Sequence, residues 1–139
     1  MDCVNLEKAK MLLLCTGSTC VLCGGELILT DKRRGVRPLL DLLENNTNVS
    51  GFSAADKVVG KAAAFLYCLL DIKCLYTPVI SQSALAVLQS AGIDTQYDQL
   101  VPAIRNRTGD GYCPMESAVL DITDAREALA VIRETLKKL

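Results

Sequence analysis

Apolar residues recur at helical spacing near the start of the chain, at Leu6, Ala9, Leu13 and Leu14. Asn5 stands ahead of them as a cap and Thr16-Gly17-Ser18 closes the run, which predicts an opening helix. The period then changes. Cys20-Val-Leu-Cys23 and Glu26-Leu-Ile-Leu-Thr30 are two short β-prone runs separated by Gly24-Gly25, the pattern of a hairpin. A basic loop, Asp31 to Arg37, leads to Pro38, which opens a second helix through Asn45, and Asn46 to Gly51 is a polar linker.

The most apolar stretch, Asp56 to Leu70, reads as a central helix that is charged in its first turn and apolar on nearly every face after Lys61. Such a helix belongs inside a domain, covered on several sides. Ser53, three residues before Asp56, suggests a capping-box start. Beyond it, Lys73 to Thr77 predicts a buried strand closed by Pro78. Ser81 caps a helix that Gly92 ends, and a strand lies within Thr95 to Ile104. Strand, helix and strand with short connections imply parallel crossovers, so the sheet is expected to be mixed. Pro114 opens a helical turn, and Thr123 caps a last helix with Ala125, Ala128, Leu129, Ile132 and Leu136 along one stripe.

With 139 residues, 50 % of them hydrophobic, the chain reads as a single domain with a sizeable core. The net charge of −1 supplies no general field for nucleic acid or an acidic membrane, and two Phe, four Tyr and no Trp make a poor base-stacking platform. No run is long enough to span a bilayer. The start of the chain lacks the basic region of a signal peptide, and seven cysteines is an odd number, so reduced thiols in the cytoplasm are expected. Histidine is absent, which removes the commonest general base and metal ligand.

Each candidate motif has two readings. Cys20-x-x-Cys23 sits in a strand, where residues three apart point to opposite faces, so core residues fit better than a redox pair. Cys113-Pro-Met-Glu116 is a structural turn or, less readily without a histidine base, an activated thiol. Arg33, Arg34 and Arg37 in one loop, and Arg105, Asn106 and Arg107 in another, are solvated charge or an anion site beside a helix start. Asp56, Lys57 and Lys61 around Gly60 could be an ordinary capped helix end, but that reading leaves the glycine unexplained. A glycine costs a helix roughly 1 kcal/mol relative to alanine, which suggests that something approaches its backbone closely.

Arg34-Gly-Val-Arg-Pro-Leu39, Ala55-Asp-Lys-Val-Val-Gly-Lys-Ala-Ala-Ala64, Val101-Pro-Ala-Ile-Arg-Asn-Arg107 and Cys113-Pro-Met-Glu116 together resemble a bacterial and archaeal family of unknown function with a cytidine deaminase-like fold. The resemblance implies a three-layer α/β/α domain with a mixed sheet. Zinc deaminases of that fold carry His-x-Glu at the central helix and Pro-Cys-x-x-Cys at the next. Here the first place holds Asp56 to Lys61 and the second Pro78-Val-Ile-Ser-Gln-Ser-Ala84, so no zinc site is expected and no cofactor is implied. The expected function is binding of a nucleotide-like or other phosphate-bearing small molecule at the start of the central helix. Asp56, Lys57, Gly60, Lys61, Asn106, Arg107 and Glu116 are the candidate ligand-binding residues, and no reaction is spelled out by them. The alternative is a non-catalytic interaction or assembly module, and association into a homo-oligomer fits either.

Overall fold

The hairpin forms one margin of a mixed sheet. In the computed structural model, which describes residues 4–105, 111 and 113–138, α1 (Val4–Thr16) leads into β1 (Cys20–Gly24) and β2 (Leu27–Asp31). The turn uses Gly25 and Glu26, one residue later than the Gly-Gly pair, with Gly25 at a φ of 58°. There follow α2 (Arg37–Glu44), β3 (Ser53–Asp56), β4 (Val58–Val59), α3 (Lys61–Leu69), β5 (Cys74–Ser81), α4 (Gln82–Ser90), β6 (Asp94–Val101), α5 (Pro114–Ala118) and α6 (Ala125–Lys137). The strand order is β2–β1–β3–β5–β6, with β1 antiparallel to both neighbours and β3, β5 and β6 parallel. β4 pairs with β5 in the register that β3 has already set. The parallel connections run through α3 and α4, as crossovers require.

The fold is α/β, with helices on both faces of the sheet, as expected. On one face α1 packs Leu6, Ala9 and Leu13 against Val21, Cys23, Ala55, Cys74 and Tyr76. The other face carries the larger core, built around α3, whose residues Ala62 to Tyr67 are all buried. Cys20 belongs to this core and Cys23 to the first, so the two thiols lie on opposite faces of β1. Cys15, Cys20, Cys23, Cys68 and Cys113 form no disulfide.

Three expectations are corrected. The central helix does not begin at Asp56. It begins at Lys61 with Gly60 as an extended N-cap, while Ser53 and Asp56 are the two ends of β3 and Val58-Val59 form β4. Two consecutive β-branched valines favour the extended backbone, which tertiary pairing with β5 then fixes. Pro78 does not close its strand either. β5 runs on to Ser81, and both of its ladders skip the pair at Pro78, which has no N–H to donate to the neighbour it faces. The interruption also resets the side-chain alternation: Ala54 and Val59 both join the larger core, as do Leu75 and Ile80. Finally, the last helix is capped by Asp124, whose carboxylate accepts from Glu127 N–H at 2.9 Å, and not by Thr123.

Ser81 caps α4 as the sequence predicts, its hydroxyl accepting from Ala84 N–H at 3.1 Å. Ser81→Ala is expected to lower the unfolding free energy by about 1 kcal/mol. Denaturant unfolding checks this; an unchanged midpoint would show that the cap contributes nothing.

Candidate functional site

Gly60 is needed for space. Its φ of −98° and ψ of 179° suit any residue, but a Cβ there would overlap the Glu116 carboxylate. Glu116 reaches from α5 to the start of α3, where it accepts hydrogen bonds from the Lys61 and Ala62 backbone N–H groups. The close approach inferred at Gly60 is therefore made by the chain's own carboxylate. It satisfies two of the N–H groups left free at a helix start and sits at the positive end of the helix dipole. Burial pushes the Glu116 carboxyl above its usual range, and these N–H bonds oppose the rise.

Asp56 lies apart from this contact. Its carboxylate is buried and accepts from Tyr67 Oη at 2.7 Å and from the Val58 backbone N–H, with the Lys57 N–H shared between it and Thr19 O. Cys20 Sγ lies 3.5 Å from the same Tyr67 oxygen. With the tyrosine's one proton directed at Asp56, the thiol is left to donate. Burial outweighs these bonds and pushes Asp56 up to about 7, and it raises Cys20 and Tyr67 as well. The position that ends β3 thus turns its carboxylate into the core, under α3.

Lys57 and Lys61 separate for the same reason. Lys57 is exposed at the break between β3 and β4, with its N–H bonded to Thr19 O at 3.1 Å. Lys61 Nζ donates to Leu120 O at 2.8 Å and lies 5.7 Å from the centre of the Phe65 ring, so its charge ties α3 to the end of α5. Asn106 and Arg107 lie outside the described residues.

Lys57, Gly60 and Glu116 share a cleft of about 1170 Å³ with the 32–37 loop and with Arg105 and Cys113. Its apolar lining comes from Val36, Ala62, Ala63, Ile104, Met115 and Leu136. Lys32, Arg34, Arg37, Lys57 and Arg105 supply positive charge, and among the described residues Glu116 is the single carboxylate on its wall. Asp56 and Lys61 are not part of that wall. The volume lies just above the upper end of the roughly 300–1,000 Å³ usual for small-molecule pockets. Among the described residues no group of histidine, cysteine or carboxylate side chains is placed to hold a metal ion. No helix among them is long and apolar enough to cross a membrane.

Sequence reasoning missed the partnership of Glu116 with Gly60, and the signal was present in an oddly placed glycine and an isolated glutamate 56 positions later. It named the arginines of the 32–37 loop without placing them beside Gly60 and Glu116, where the loop borders the cleft.

Two outcomes are expected. Gly60→Ala should destabilise the fold by about 1–3 kcal/mol, the range for overpacking and a displaced buried carboxylate, and most of that loss should vanish in a Glu116→Ala background. A double-mutant cycle measures the coupling; additive losses would mean that the two residues do not oppose each other. For Asp56, the folded protein holds a proton that the unfolded chain has released between about pH 4 and 7. Stability should therefore fall as pH rises through that window, by at most about 1.4 kcal/mol per pH unit for this group, and level off above it. Glu116 acts in the same direction, so the difference between wild type and Asp56→Asn across the pH series isolates Asp56.

A crystal structure of a DUF1893 family protein from Thermotoga maritima superposes on this chain with a TM-score of 0.87 at 28 % sequence identity, covering 100 % of this chain and 92 % of that one. No curated protein matches the chain. Residues 8–136 match the family model described as a domain of unknown function, DUF1893. Matched over nearly its full length, the chain is a member of the DUF1893 family.

Proposed function

We propose that this DUF1893 chain is a zinc-free domain of cytidine deaminase-like architecture that binds a nucleotide-like or other phosphate-bearing small molecule in the cleft beside α3. The architecture is supported by the strand order, with an antiparallel hairpin followed by two parallel crossovers around a buried central helix. The absence of histidine and of metal-holding clusters among the described residues supports the zinc-free reading.

The observation that carries the binding function is the make-up of the cleft. Among the described residues Arg34, Arg37 and Lys57 have no ion-pair partner, and the concavity they face has an apolar lining and one carboxylate. Guanidinium and ammonium groups there suit phosphate, the apolar wall suits a ring, and Glu116 accepts from a hydroxyl or amino group. Asn106 and Arg107 follow Arg105 in the chain and are proposed to add to the same site. Asp56 and Lys61 act behind the wall, through Tyr67 and Leu120, rather than at the ligand.

One observation favours the second reading, a non-catalytic assembly module. β6 is mostly exposed along its eight residues, including Tyr97 and Leu100, and lies at the margin of the described sheet. Calorimetric titration with nucleosides, nucleotides and ADP-ribose separates the two. Saturable binding of phosphate-bearing members, weakened roughly tenfold to a hundredfold by Lys57→Ala, is expected. No binding by any member, with concentration-dependent association in light scattering, would replace the first reading with the second.

A further inference from the structure

We infer that the anionic end of the ligand is taken by Arg34, Arg37 and Lys57, and that Arg33 positions this rim instead of joining it. The inference rests on the proposed phosphate-bearing ligand for the charge of the occupant; the role of Arg33 stands on geometry alone.

Two helix starts border the cleft, and they differ. That of α3 already holds the Glu116 carboxylate, so a second anion there would meet a like charge. That of α2 has Val36 as N-cap, which offers no side-chain acceptor, and it is entered directly from Arg34 and Gly35. Gly35 has a φ of 71°, the left-handed turn that brings Arg34 and Arg37 to the two ends of a short loop. The helix dipole of α2 adds to their charge.

Arg33 borders the same cleft but is occupied. Its Nη2 lies 2.7 Å from Asp31 Oδ2 and 2.7 Å from Asp41 Oδ2, its Nε is 3.1 Å from Asp31 Oδ1, and its backbone N–H donates to Asp31 Oδ1 at 2.8 Å. One guanidinium thus joins the end of β2 to the middle of α2, across the loop that carries Arg34 and Arg37. The network reaches further. Thr19 Oγ1 donates to Arg33 O at 2.6 Å, Thr19 N–H donates to Asp31 O at 2.8 Å, and Thr19 O accepts from Lys57 N–H. Arg34 thus directly follows the anchored Arg33, Arg37 opens the helix that Asp41 anchors, and Lys57 joins the same end of β2 through Thr19.

Asp41 does not line the cleft, which gives a test with opposite signs. If Arg33 binds the ligand, Asp41→Asn removes one of its two carboxylate partners and a nearby negative charge, so an anion binds more tightly. If Arg33 positions the rim, the same change weakens anion binding. The experiment titrates ADP at low ionic strength into wild type, Asp41→Asn, Asp41→Glu and Arg34→Gln. Expected are a severalfold loss for Asp41→Asn, recovery toward wild type in Asp41→Glu, and a loss of roughly tenfold to a hundredfold for Arg34→Gln. The melting temperature should move by no more than a few degrees, because exposed ion pairs add little to global stability. A second measurement needs no ligand: trypsin should cut after Arg34 faster in Asp41→Asn than in wild type. Tighter ADP binding, or an unchanged cleavage rate, in Asp41→Asn would overturn the positioning role. Unchanged ADP affinity in Arg34→Gln would overturn the anion subsite. A wild type that binds no ADP would overturn the subsite and the phosphate reading beneath it, leaving the cleavage rates to decide Arg33 on their own.

Discussion

The Glu116 carboxylate at the start of α3 is the contact on which the site depends. α3 is the most buried helix, and a helix start inside a protein must have its free N–H groups satisfied. No residue preceding α3 does this: Gly60 has no side chain, and the nearby Asp56 is turned toward Tyr67. The acceptor comes instead from α5, far along the chain, and only a glycine leaves it room. That one requirement docks α5 on α3 and places Met115 in the core. It also sets Pro114 and Cys113 along the cleft.

A second constraint is covalent. Pro78 has no N–H for the neighbour it faces, both ladders of β5 lapse at this position, and the opposing chain is interrupted between β3 and β4. At that interruption Lys57 emerges to solvent beside the cleft, while Asp56 turns inward to Tyr67 and Cys20. Two adjacent charged residues thus acquire opposite roles from one break in pairing. The buried carboxylate costs stability as it ionises, and its bonds from Tyr67 and two backbone N–H groups offset part of that cost.

Electrostatics divides the cleft between the two helix starts. Glu116 neutralises that of α3, whereas the loop before α2 leaves its arginines available because Arg33 alone meets the acids on either side. The charge of −1 over the whole chain conceals this separation. The binding proposal therefore rests on local arrangement and not on overall charge.

Much of the fold was legible in the sequence because it follows from short-range rules. Period and turn residues located the opening helix, the hairpin, the Ser81 cap and the mixed order of strands, and alternation put Cys20 and Cys23 on opposite faces. Gly60 and Glu116 were each recognisable as unusual. What the sequence could not convey was their pairing, since the residues are 56 positions apart and nothing local links a glycine to a distant carboxylate. The same limit explains the misplaced start of the central helix: Val58-Val59 is apolar in either conformation, and only the neighbouring β5 makes it a strand. Lys57 and Lys61 looked like one face of one helix until tertiary pairing sent one to the cleft and the other to Leu120. Local chemistry chose the elements, and contacts between distant segments decided which charges met.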